Sequence, residues 1–169
     1  MKIIKYIMLL AIFILSIYIG RYLSKRYVYR LKELEETKSA LNILKTKIKF
    51  TYEPLPEIFE EISKAQNYGV VKIFKIAVGK MKQKSATDSW NEAVEEYDGY
   101  LNKNDKETLK TLSKMLGVSD VDGQISQIEV TESFLEEQIR QAQEEKNKNE
   151  KLYQKLGTAI GLVIVIILI

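Results

Sequence analysis

The chain has no cysteine and no histidine in its 169 residues. Without cysteine it can form no disulfide, no thiolate nucleophile and no cysteine zinc site. Without histidine it lacks the commonest general base and the commonest metal ligand. Proline is nearly missing, at 2, and glycine is sparse, at 8. So little punctuation favours long helices. No glycine-rich phosphate loop is present, so nucleotide hydrolysis has no motif to carry it. The net charge of +3 and the scatter of the lysines do not argue for nucleic acid. These gaps point away from chemistry: no catalytic, cofactor-binding or metal-binding residue is assigned, and no small-molecule substrate is expected.

What the chain does have is apolar length at both ends. Residues Ile3 to Tyr22 form a run of membrane-spanning length, interrupted by Lys5 near its start and bounded by Arg21 at its end. A cleaved signal peptide is the rival reading, but Ser16 to Gly20 supply a poor cleavage site. Tyr18, Tyr22, Tyr27 and Tyr29 fall where interfacial aromatics belong. Residues Leu156 to Ile169 are apolar throughout, and as a helix they cover about 21 Å of a ~30 Å hydrocarbon core. A soluble core helix would show a polar face, so a membrane tail is favoured, with Lys151 and Lys155 snorkelling to the interface. The expected organisation is an N-terminal transmembrane helix at 1–22, a soluble helical bundle at 23–155 and an apolar tail at 156–169.

Charge gives an orientation. Arg21, Lys25, Arg26, Arg30 and Lys32 follow the first span, and Lys146, Lys148, Lys151 and Lys155 precede the second. Positive flanks stay in the cytoplasm, which places the middle of the chain there. Ser16 and Gly20 lie four apart in the first span, as do Gly157 and Gly161 in the second. Small residues at that spacing let helix backbones approach, and a hairpin would bring Gly20 near Gly157 and Ser16 near Gly161. That glycine and serine are simply common in membrane helices is the competing explanation.

Between the ends the period is helical. Leu31, Leu34, Leu41, Leu44 and Ile48 form one stripe that Pro54 and Pro56 terminate. A short helix through Ile58, Phe59 and Ile62 stops near Asn67 to Gly69, and another runs through Val70, Phe74, Ala77 and Met81. Ser89 to Glu92 have the capping-box pattern of a helix start, and that helix carries Trp90, Ala93, Val94 and Tyr97 on one side, with Trp90 read as a core anchor. Asn104 to Glu107 open a further helix with Leu109, Leu112 and Leu116 inward, and Gly117 closes it. From Asp120 the seam Val121, Ile125, Ile128, Leu135, Ile139 and Ala142 runs without a proline into the tail. The fold expected is all-α: an antiparallel bundle of about six helices, two of them long and continuing into the membrane anchors. Eight basic and three acidic residues between Lys25 and Lys49 face six acidic residues between Glu129 and Glu145. Opposed charge therefore favours pairing the long helices, although each exposed pair is worth under ~1 kcal/mol.

Glu57, Glu60 and Glu61 cluster, as do Glu92, Glu95 and Glu96. Paired carboxylates can bind hard cations, but on amphipathic helices they read better as solvated faces. Gly117 to Gly123 lacks the ligand spacing of a calcium loop and reads as a turn capped at Ser119 or Asp120. Lys72, Lys75, Lys80, Lys82 and Lys84 give one short helix a basic surface that could meet an acidic partner or anionic lipid; a solvated face is the plainer reading.

Tyr52-Glu53-Pro54-Leu55, Trp90, Leu116-Gly117, Asp120, Gln124, Glu150-Lys151, Leu156-Gly157 and Gly161 occur in an order and spacing that resemble the stage III sporulation protein AB family of endospore-forming bacteria. The resemblance covers nearly the whole chain. It implies a component of the channel complex linking mother cell and forespore, in the outer forespore membrane on the mother-cell side. It further implies a soluble domain similar to that of the inner-membrane platform protein of type II secretion. The implied partners are membrane lipid, a cytoplasmic ATPase resembling stage III sporulation protein AA, and other channel components. The family offers no catalytic residues. The competing functional reading is a structural tether that binds channel-ring proteins in the intermembrane space.

Overall fold

The computed structural model describes residues 2–51, 53–65 and 69–168. Met1, Tyr52, Asn67 and Ile169, on which parts of the sequence reading rest, lie outside the described residues. Six α-helices are present among the described residues: α1 Lys2–Phe50, α2 Leu55–Ala65, α3 Val71–Met81, α4 Ala86–Glu96, α5 Lys103–Thr111 and α6 Val121–Leu168, with a 3₁₀ turn at Leu112–Lys114. The fold is all-α, with no strand among the described residues. The chain divides into two compact units, Met1–Leu31 with Gln141–Ile169, and Lys32–Arg140, and each long helix supplies a segment to both.

In the unit of residues 32–140, α1 buries Leu34, Thr37, Leu41, Leu44 and Ile48, a 3-4-3-4 spacing. The facing stripe of α6 is Ile128, Thr131, Leu135 and Gln138, with the same alternation. The seam therefore departs from the one expected: Val121 is exposed, and two polar residues take its heptad positions. Both have partners on α5. Gln138 donates to the Thr108 hydroxyl at 2.7 Å, and the Thr131 and Thr111 hydroxyls meet at 3.4 Å. They pin α5 to α6 where leucines would leave hydroxyls unpaired. Lys38 bonds Glu136 at 2.7 Å and Lys45 bonds Glu132 at 2.6 Å, fixing the two segments as antiparallel.

The short helices close over an aromatic triad. Phe59, Phe74 and Trp90 meet edge to face at centroid distances of 5.0, 5.1 and 5.6 Å, and all three are fully buried. The Trp90 indole donates to the Leu109 carbonyl at 2.7 Å, tying α4 to α5. Two helix starts lie ahead of the positions expected. Ser85 caps α4 by accepting from the Asp88 amide, while Ser89 is buried inside the helix. The capping box of α5 is Asn102 with Asp105 rather than one at Asn104. In both cases an earlier polar residue satisfies the free amides first. Gly117 sits at φ +69°, a left-handed position that closes the turn before α6, and Asp120 accepts from the Gly123 amide at 2.9 Å to open that helix.

In the other unit, α1 and α6 each contain a stretch long and apolar enough to cross a membrane, of mean hydropathy 2.0 and 1.6. Only 17% and 11% of those stretches are buried, which distinguishes them from the core helix of a soluble domain.

Candidate partner surface and helix-packing seam

Within the apolar unit the small residues meet. A Cβ on Gly20 would stand 2.6 Å from the Tyr153 carbonyl oxygen and 2.9 Å from the Gly157 Cα. On Gly157 it would stand 2.8 Å from the Ser16 carbonyl oxygen. Only glycine fits where these backbones cross. The Ser16 hydroxyl donates to the Gly157 carbonyl at 2.7 Å, so a polar group on an apolar helix is satisfied across the pair. Gly161 lies against Ser16 and Phe13, 3.1 and 2.9 Å from where its Cβ would be. All four sequence-selected residues, Ser16, Gly20, Gly157 and Gly161, are thus in one contact. Above it, Tyr27 stacks on Tyr153 at 5.8 Å and Arg30 bonds Glu145 at 2.8 Å, a pair that sequence reasoning did not single out.

The basic helix in the unit of residues 32–140 is divided, and this corrects the expectation of one free cationic surface. Lys80 bonds Glu96 at 2.6 Å and Glu92 at 2.9 Å, and Lys84 also bonds Glu92. Hydrogen bonds to Glu96 and then Glu92 hold the Lys80 ammonium above its ordinary range. The bond from Lys84, then that from Lys80, holds the Glu92 carboxyl below its own. Three turns of helix explain the split: Lys72, Lys75 and Lys82 share one face of α3, and Lys80 points toward α4. Lys72, Lys75 and Lys82 are exposed and, with Glu60, Lys64, Val71 and Ile76, line an open groove of about 740 Å³ between α2 and α3. Glu60 is held by Lys64 at 2.7 Å, which leaves the groove with an excess of positive charge.

The carboxylate clusters also have lysine partners. Glu61 bonds Lys47 and Glu95 bonds Lys110, while Glu57 lies in the first turn of α2, where the helix dipole favours it. The residue that sequence reasoning missed is Glu33. It is buried on α1, and one carboxylate oxygen accepts from the amides of Tyr100 at 2.7 Å and Leu101 at 3.1 Å. The Tyr97 hydroxyl donates to the same carboxylate. Burial raises the Glu33 carboxyl despite these donors, and burial followed by the Glu33 hydrogen bond raises the Tyr97 hydroxyl strongly. The only hint in the sequence is an acidic residue one position ahead of Leu34 on the stripe.

The family model described as Stage III sporulation protein AB matches residues 5–169. Stage III sporulation protein AB of Bacillus subtilis (strain 168) is 26% identical over 153 residues, covering 88% of this chain and 90% of that protein. A solved structure of a stage III sporulation protein AB is similar in fold at a TM-score of 0.64 and 22% identity, over 70% of this chain and 96% of its own. The chain belongs to the stage III sporulation protein AB family.

Proposed function

We propose that this sporulation protein is a non-catalytic membrane platform subunit of the mother cell–forespore channel complex, coupling a cytoplasmic ATPase to the channel. The observation that carries the reading is the hairpin itself. Two exposed apolar stretches are locked to each other through Gly20, Gly157 and the Ser16 hydroxyl, with the basic flanks of both at the same end. Such a pair enters one bilayer from one side and returns the intervening residues to that side. The flanks argue for the cytoplasmic side of the bilayer, and the mother cell and the outer forespore membrane are what the family resemblance implies.

The ATPase, of the stage III sporulation protein AA type, would meet the groove of α2 and α3. Lys72, Lys75 and Lys82 make no ion pair among the described residues, so their charge is available to an acidic surface. Full-length protein in lipid nanodiscs should bind the purified ATPase. Changing Lys72, Lys75 and Lys82 together to glutamate should weaken that binding at least about tenfold. The matched change of Lys80 and Lys84 should leave this contact intact; equal affinity for the first variant and the wild type rules the groove out.

A further inference from the structure

The membrane hairpin holds a feature that scaffolding does not use. A groove of 370 Å³ runs along it, lined by Ile12, Leu15, Ile19 and Leu23 on α1 and by Tyr153 and Ile160, among others, on α6. Its walls are almost entirely carbon. From Ile12 to Leu23 the groove follows eleven residue-to-residue steps of helix, roughly 16 Å at 1.5 Å per step. One leaflet of a ~30 Å hydrocarbon core is about as deep. A partner helix would need the full thickness, whereas an acyl chain needs one leaflet.

The polar end of the groove is cationic. Tyr153 lines it, Tyr27 stacks on Tyr153, and the Arg26 guanidinium lies 5.8 Å from the Tyr27 ring centre. The contacts of Gly20 with Gly157 and Arg30 with Glu145 set the antiparallel register. That register brings Arg21 and Lys25 to the same level as Lys155 and Lys151. All five cations are exposed, and none has a carboxylate partner among the described residues. In the unit of residues 32–140 many lysines are paired, although Lys72, Lys75 and Lys82 are not among the described residues. There Lys38, Lys45, Lys47, Lys64, Lys80, Lys84 and Lys110 are each matched by a glutamate. Unmatched cations at the mouth of a leaflet-deep apolar groove complement one kind of molecule.

We infer that the hairpin binds a single anionic phospholipid, its acyl chain in the groove beside Gly20 and Gly157 and its phosphate against Arg26 and the neighbouring basic collar. The inference rests on the membrane-anchored reading of the two apolar helices. The lipid would fill this indentation in the hairpin's wall and fix the depth at which the anchors sit. Selection is by charge: each basic residue at an anionic surface adds to the preference.

The test uses the full-length protein in mild detergent, titrated with phosphatidylglycerol or phosphatidylcholine of identical chains and read by native mass spectrometry. One phosphatidylglycerol should bind about tenfold or more tightly than phosphatidylcholine. Changing Arg26, Lys25 and Lys151 to glutamine, all exposed and unneeded for packing, should abolish the preference. Ile19→Trp, which fills the groove, should lower retention of both lipids. Equal binding of the two lipids by the wild type overturns the inference, as does a preference that survives loss of the three charges. Flotation with vesicles of pure phosphatidylcholine separates the two readings. A protein that floats there but shows no headgroup preference keeps its anchors and loses the lipid site; one that does not float loses the anchors as well.

Discussion

Glu33 shows how much one buried side chain can organise. Its carboxylate accepts the Tyr100 and Leu101 amides and the Tyr97 hydroxyl, satisfying the donors of the segment between α4 and α5. Glu33→Gln should destabilise the protein by about 1–2 kcal/mol, because one amide oxygen replaces two charged acceptors. The pH dependence has a definite sign. Burial raises this carboxyl in the folded state, so the native protein holds the proton more tightly than the unfolded chain. The contribution of Glu33 to stability therefore grows as pH falls through the carboxylate range. Urea unfolding of wild type and Glu33→Gln at pH about 7 and about 5 should show the wild type gaining on the variant at the lower pH. A constant or shrinking difference would contradict the buried-carboxylate account. Trp90 was legible from its place at the head of an amphipathic stretch, and its burial with Phe59 and Phe74 agrees. Trp90→Ala should cost about 3–5 kcal/mol, read from denaturation followed by circular dichroism. Glu33 was not legible, because nothing in a single sequence distinguishes a carboxylate that turns inward to backbone amides from one left in water.

At the scale of elements, the apolar periods were readable and the polar joints were not. The stripes of α1 and α2 and the leucines at 109, 112 and 116 are buried where a 3.6-residue period places them. The starts of α4 and α5 were misplaced because Ser85 and Asn102 compete successfully with Ser89 and Asn104 for the same free amides. Thr131 and Gln138 stand in the α6 seam because α5 offers them hydroxyl and carbonyl partners, a tertiary fact that spacing alone does not carry. The basic face of α3 read as one surface since Lys80 and Lys84 gave no sign of the glutamates on α4 that bind them. The membrane pair makes a firmer prediction. Leucine at Gly20 or Gly157 would force its Cβ within 2.6 to 2.9 Å of backbone atoms of the other helix, so the helices must separate. Spin labels on cysteines introduced at Leu10 and Val163, in a chain with no other cysteine, should report a longer and broader distance distribution in Gly157→Leu than in the parent. An unchanged distribution would mean that the close approach is not what joins the helices.

For the whole molecule, the two apolar ends, the all-α middle and the family were each recoverable from sequence. They depend on long apolar runs, helical period and ordered short motifs, and none depends on a particular contact. The compartment was read from the basic flanks alone, whereas the partner depends on surfaces whose pairing only three dimensions reveal. Cysteine labelling tests the compartment: a single cysteine at exposed Lys103 should react with an impermeant maleimide only once the mother-cell membrane is opened. Failure to react until the outer forespore membrane is also opened would favour a domain in the intermembrane space. The most direct measurement concerns the anchors themselves. Membranes from sporulating cells, washed with alkaline carbonate, should retain the full-length protein in the pellet until detergent releases it. Recovery of the protein in the carbonate supernatant would contradict the account.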